Sequence, residues 1–249
     1  TLSGGLALVM YSVGPAMLAE FTPSSQRGGI LARRGTAHPF AELDPKRTAL
    51  VVVDLQNGFM RADLGFAPVP AAVEIVPAVN RLAAALRCAG GEVFWIRNTF
   101  NERSAREWSV MEEFTLPERR EARARAMSEG TPGHELWPEL EVKPEDTVLR
   151  KYRYSAFIQG SSDLPRVLRE KGLDTVLITG TMTNVCCESS ARDAMMLNFR
   201  TIMVSDANAT LTDEEHNASL INFYATFGDV LSVAEIEESL DHATRRAAT

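Results

Sequence analysis

The chain has 249 residues, of which 45% are hydrophobic and 24% charged, a globular make-up that is neither disordered nor fibrous. Its net charge of −7 argues against nonspecific nucleic-acid binding, because neutralising phosphates takes a basic surface. Three cysteines, Cys88, Cys186 and Cys187, do not make a secreted disulfide framework, so a reducing, cytoplasmic setting is expected.

Thr1 to Ala19 carries no charge and includes Leu6-Ala-Leu-Val-Met-Tyr11. Gly14-Pro15 interrupts the run, no basic residue precedes it, and it is short for a spanning helix. Residues 1–35 therefore read as an N-terminal extension, packed on a neighbouring subunit or partly disordered, with no membrane role. Residues 36–249 read as one domain.

Within it, Thr48 to Val53 is a continuous apolar strand that ends on Asp54. Val73 to Ala89 has Ile75, Val79, Leu82 and Leu86 on one helical face, and Gly90-Gly91 stops it. Glu92 to Arg97 is the second strand. Ser104 to Met127 reads as a charged helix, ended by Thr131-Pro-Gly133. Its Arg119, Arg120, Arg123 and Arg125 interleave with Glu118 and Glu121, the mark of a solvated face. The third strand, Thr147-Val-Leu-Arg-Lys151, ends on a lysine. A helix from Leu164 to Lys171 leads to the fourth strand, Thr175 to Thr179. A further helix then opens near Val185, with Thr183 or Asn184 as N-cap. Arg200 to Ser205 is the fifth strand. Thr212-Asp-Glu-Glu215 opens a helix as a capping box, Asp229 to Leu231 is the sixth strand, and Ser232-Val-Ala-Glu235 opens the last helix likewise.

This alternation predicts an α/β fold: one three-layer α/β/α sandwich around a six-stranded, mostly parallel sheet. The strand order 3-2-1-4-5-6 makes the first and fourth strands neighbours at the switch point, where active sites form. Asp54, Lys151 and Cys186 each stand at the carboxyl end of a strand. Alone, Asp54 reads as a turn cap, Lys151 as a solvated charge and Cys186 as a core thiol. Together they suggest an activated nucleophile, with the helix end beside Cys186 favouring a thiolate.

Asp54 in VVVDLQNGF, Lys151 in LRKYRYSAF and Cys186 in GTMTNVCCESSARDA resemble the Asp-Lys-Cys triad of cysteine hydrolases of the isochorismatase-like superfamily. The likeness runs from about Pro45 to about Val233. It implies hydrolysis of a small C–N compound through a thioester on Cys186. Asp54 would take the thiol proton, and Lys151 would keep Asp54 ionised. The backbone amides of Met182 and Cys186 would hold the oxyanion, next to a cis peptide between Thr181 and Met182. Relatives that bind zinc do so with an Asp-x-His element. His38, His134, His216 and His242 have no such spacing, so no metal and no cofactor are expected. His216 reads as a surface or cap-adjacent residue, while Cys187 and Cys88 read as structural.

Trp95 to Phe100 and Lys151 to Phe157 look most like the ureidoacrylate and N-carbamoyl amidohydrolases of that superfamily. Asn98 is a candidate to hydrogen-bond an amide or ureido substrate, Phe100 and Phe157 to wall its pocket, and Gln56 and Tyr154 join them as substrate-binding candidates by closeness in the chain. A homo-oligomer, a dimer or tetramer, is expected. Alternatives are a lactam-opening or nicotinamidase-type amidase on the same triad, and a non-catalytic binding protein on the same fold.

Overall fold

The computed structural model describes residues 24–64 and 67–247, so the uncharged stretch Thr1 to Ala19 lies outside the described residues. Strands β1 (Thr48–Val53), β2 (Glu92–Asn98), β3 (Thr147–Lys151), β4 (Thr175–Thr181), β5 (Arg200–Ala209) and β6 (Asp229–Leu231) form one sheet. Their order is β3-β2-β1-β4-β5-β6, as expected, and every pairing is parallel.

Successive strand side chains point to opposite faces, and both faces are covered. On one face, Leu50, Val52, Val93, Trp95 and Leu177 pack against Val79, Leu82 and Leu86 of the helix Val76–Ala89. Val233, Ile236 and Leu240 of the helix Val233–Ala247 complete that layer. On the other face, Val51, Val53, Phe94, Ile96 and Ile178 meet Leu164 and Leu168, Ala191 and Ala194, and Leu220 and Phe223. Those pairs come from the helices Leu164–Glu170, Glu188–Met196 and Asp213–Thr226. Burial on both faces explains why β1 reads as an unbroken apolar run.

Two features draw the strand ends together. Asp54 leaves β1 with φ 57, in the left-handed region that non-glycine residues seldom adopt, while its amide still bonds to the Ile96 carbonyl at 2.9 Å. Gly180 has φ 115, and a Cβ there would lie 2.0 Å from the Val53 carbonyl oxygen, so only glycine lets β4 approach β1 at this point. On the other side, the Asp146 carboxylate accepts from Trp95 Nε1 at 2.8 Å and Arg87 Nη2 at 2.6 Å. That contact fixes the chain one residue before β3, and so the register that carries Lys151.

Several local expectations change. The region expected as one helix, Ser104 to Met127, is three: Glu102–Glu107, Ser109–Glu113 and Pro117–Met127. Trp108 breaks the first junction with φ −131 and ψ 53, and Pro117 starts the third helix, which keeps Leu116 extended. The helix expected from Val73 is interrupted at Ile75, with Pro77 near the start of its main part. The described part of the N-terminal segment, Ser24–Arg34, makes contacts with this chain: Ile30 is buried, and Arg33 donates to the Ala225 carbonyl. Among the described residues, no helix is long and apolar enough to cross a membrane.

Candidate active site

Lys151 and Asp54 are fully buried, and Cys186 is 5% exposed. Lys151 Nζ lies 2.6 Å from Asp54 Oδ2, 3.3 Å from Cys186 Sγ and 3.1 Å from the Arg153 carbonyl oxygen. An ammonium has three protons, and these three neighbours use its whole donor capacity. The parallel register builds the cluster: Val53 pairs with Gly180 across β1 and β4, and Asn98 pairs with Lys151 across β2 and β3.

Burial dominates the electrostatics. It pushes the Cys186 thiol up to about 12, with Lys151 pulling it down and Asp54 pushing it further up. Burial also raises Asp54, against the pull of Lys151. Lys151 is lowered by burial but raised more by Asp54 and Cys186, so it stays an ammonium. Burial thus favours the neutral thiol of Cys186, and the Lys151 ammonium beside Asp54 works against protonation of the carboxylate. Desolvation here opposes the preference for a thiolate expected of the helix end. A carboxylate raised in this way is a stronger base than an exposed one.

The segment that carries Cys186 is a π-type turn, Thr183–Cys187, that runs straight into the helix Glu188–Met196. It begins at Met182, and neither Thr183 nor Asn184 caps it. Thr183 is instead hydrogen-bonded through Oγ1 to His216 Nδ1 at 2.9 Å, and Asn184 Oδ1 accepts from Thr210 Oγ1 at 2.7 Å. The amides of Val185 and Cys187 both bond to the Met182 carbonyl at 3.1 Å. The Thr181–Met182 peptide is cis. Ser190 Oγ donates to the Cys186 carbonyl at 2.6 Å and accepts the Ala156 amide at 3.0 Å, which ties the turn to the loop after β3.

His216 is buried, not superficial as its helical position suggests. Burial lowers its pKa to about 4. Below pH 6.5 the unfolded chain takes up a proton that the folded chain refuses, so stability falls on acidification from about 6.5 to about 4. Over that window His216 contributes a loss of about 3 kcal/mol at most. Urea midpoints across the window should fall less steeply in His216→Gln; an unchanged slope would assign the acid sensitivity elsewhere.

The residues nominated for substrate binding separate into two groups. Gln56 is spent on the backbone: Nε2 donates to the carbonyls of Asn98 and His134, and Oε1 accepts the Asn98 amide at 2.7 Å. Phe157 is buried in the core against Phe199, with ring centroids 5.7 Å apart. Asn98, Phe100 and Tyr154 are half-buried around the strand ends. Tyr154 stacks edge-on against Trp108, at the junction of the first two helices after β2, and its hydroxyl contacts Met111 Sδ of the second at 3.3 Å. Cys187 is buried, with Sγ 3.8 Å from the Thr179 carbonyl oxygen, whereas Cys88 is exposed and free. Sequence reasoning missed Ser190 and His216. Ser190 lies four residues after Cys186, the spacing at which a helical serine bonds back to a carbonyl. His216 left no such signal. Among the described residues, no group of three His, Cys, Asp or Glu side chains could hold a metal ion.

A parallel α/β sheet with a buried acid, lysine and thiol at its carboxyl edge is the framework of a hydrolase with a cysteine at its centre. The isochorismatase domain family model matches residues 48–235. The ureidoacrylate amidohydrolase RutB of Pantoea ananatis is 31% identical over 88% of this chain and 91% of its own length. The cysteine hydrolase of Pseudomonas syringae pv. phaseolicola 1448A superimposes with a TM-score of 0.73 at 28% identity, over 81% of this chain and 95% of that one. N-carbamoylsarcosine amidase of Thermoplasma acidophilum gives 0.60 at 28% identity, over 75% and 96%. The chain belongs to the isochorismatase family, and it is an amidohydrolase.

Proposed function

We propose that this enzyme hydrolyses a C–N bond of a small ureido or carbamoyl compound through a thioester on Cys186. One observation carries the reading: Lys151 Nζ touches both the Asp54 carboxylate and Cys186 Sγ inside a buried strand-end cluster. Two relatives add the substrate class, since ureidoacrylate and N-carbamoylsarcosine each present a carbonyl between two nitrogens.

In the proposed cycle Asp54 accepts the thiol proton as sulfur attacks the carbonyl carbon, and Lys151 balances the charge on both partners. The tetrahedral oxygen takes hydrogen bonds from the Met182 and Cys186 amides. The C–N bond breaks, the nitrogen leaves with the proton from Asp54, and an acyl or carbamoyl thioester remains. Asp54 then draws a proton from water, the hydroxide displaces sulfur, and the thiol is restored. Water is the only co-reactant. Asn98 suits the ureido group: its side-chain amide makes no hydrogen bond among the described residues and sits beside Lys151 in register. A homo-oligomer in the cytoplasm is the proposed setting, to which the exposed, free Cys88 is suited.

Ammonia release across ureido acids, carbamoyl amino acids, simple amides and lactams tests the reading, with the thioester trapped by acid quench and located by mass spectrometry. Turnover of ureido or carbamoyl compounds with an adduct on Cys186 is expected, unchanged after dialysis against EDTA. Turnover of lactams alone, or loss of activity on chelation with recovery on adding zinc, would replace it.

A further inference from the structure

The helices between β2 and β3 hold a cation at a place where the reaction itself has no use for one. Arg123, within the run read as a solvated face, is only 11% exposed at its side chain. The helix Pro117–Met127 turns it inward: Met127, four residues on, shares its face and is fully buried, and the Phe100 amide bonds to the Met127 carbonyl at 2.9 Å. The guanidinium thereby lies 5.1 Å above the centre of the Phe100 ring. Phe100 is two residues beyond Asn98, whose register partner is Lys151.

Arg123 is not fully neutralised. Its Nη2 pairs with Glu112, but Arg120 Nε is also 3.9 Å from that carboxylate, so two guanidinium groups share one acid. Arg123 Nε is buried and has no hydrogen-bond partner. A buried donor left open costs about 1–3 kcal/mol until something accepts from it. Tyr154 supplies a second donor close by. It follows Lys151 by three residues, packs edge-on against Trp108 and reaches Met111, so it sits between the strand-end cluster and the helices that carry Arg123. Its present partner, the Met111 sulfur, is a weak acceptor that an anion would displace.

We propose that Arg123, together with the Tyr154 hydroxyl, anchors a substrate carboxylate, which makes the substrate a ureido or carbamoyl acid rather than a neutral amide. The inference rests on the amidohydrolase reading and adds the charge that selects among amides. Arg123 Nε and the Tyr154 hydroxyl are the donors, and the Phe100 ring is the apolar wall beneath the guanidinium. The ring limits how far the cation can swing toward solvent, so binding costs little ordering of the side chain.

The test compares 3-ureidopropionate with its neutral carboxamide in the intact enzyme and in Arg123→Met, Arg123→Lys and Tyr154→Phe. The intact enzyme should favour the acid by about ten- to a hundredfold in kcat/KM, the worth of one charge-assisted hydrogen bond. Arg123→Met should collapse that ratio mainly through KM, Arg123→Lys should keep part of it, and Tyr154→Phe should lower it less. Tyr154→Phe leaves the Arg120–Glu112–Arg123 cluster in place, so it keeps the test open if Arg123→Met folds poorly. Alkylation of Cys186 by iodoacetate against iodoacetamide reads the same preference without turnover, and that ratio should fall in parallel. A ratio near one in the intact enzyme, or one unmoved by Arg123→Met, overturns the anchor while continued turnover leaves the amidohydrolase reading standing. If neither compound turns over and Cys186 reacts no faster than Cys88, both readings fail.

Discussion

Cys186→Ser is expected to lower turnover by about four orders of magnitude or more, with little change in folding stability. Serine matches the shape of cysteine and can still accept a hydrogen bond from Lys151 Nζ, so the buried ion pair with Asp54 survives. What disappears is the proposed nucleophile. A hydroxyl is far less acidic than a thiol, and a carboxylate, even one raised by burial, is too weak a base to deprotonate it. The neighbouring cysteine gives the opposite result. Cys187 is fully buried and packs against β4, so Cys187→Ala should cost about 1 kcal/mol or more in stability and keep most of the activity. Initial rates and urea midpoints on the two variants separate chemistry from packing. Retained turnover in Cys186→Ser together with lost turnover in Cys187→Ala would move the nucleophile one residue along the turn.

The contrast between these adjacent cysteines shows which features of the site are legible in sequence. β1 and β4 are buried on both faces, so each is written as an apolar run, and the residue that ends the run stands out. Asp54 is conspicuous for that reason, since a charge directly after buried strand residues needs a partner, whereas Lys151 ends the half-exposed β3 and stands out only beside Asp54 and Cys186. The turn around Cys186 is different. It starts as a π-type turn just after Gly180 packs against Val53, a contact with a residue 127 positions earlier in the chain that local rules do not reveal. Thr183 looks like a cap by local rules, yet its hydroxyl goes to His216, which a separate helix delivers. The segment from Glu102 to Met127 is harder still. Its arginines and glutamates have the interleaving of a solvated face, and local pairs such as Arg103–Glu107 fit that picture. Arg123 instead pairs with Glu112 eleven positions away, across the break at Pro117. Only the folded arrangement separates the arginine that turns inward from those that stay in water.

Asp54→Asn and Lys151→Arg should both be crippled, and for reasons that can be told apart. Asp54→Asn keeps the side-chain shape but removes the group that, in the proposed cycle, takes the thiol proton and returns it to the leaving nitrogen. Loss of a general acid–base residue costs roughly a hundred- to ten-thousandfold, and both half-reactions depend on this one, so the upper end is expected. The variant also leaves Lys151 fully buried without its counter-charge, which should destabilise the fold by about 3–5 kcal/mol. Lost activity could then be mistaken for lost folding, and a second variant removes the ambiguity. Asp54→Asn combined with Lys151→Met takes out both charges and should recover stability but no turnover. Lys151→Arg keeps the charge in a planar, wider group that cannot place one nitrogen against Asp54, Cys186 and the Arg153 carbonyl together, so the ion pair loosens without vanishing. Its rate should fall about a hundredfold and should climb with pH, because hydroxide progressively supplies the thiolate that the ammonium no longer favours. Asp54→Asn should climb with pH as well, from a lower floor, since Asp54 is one of the influences that hold the Cys186 thiol protonated at about 12. The pH–rate profiles of the three variants, read beside their urea midpoints, decide the matter. Near-normal turnover at neutral pH in folded Asp54→Asn would take the base out of the mechanism and require another route for the thiol proton.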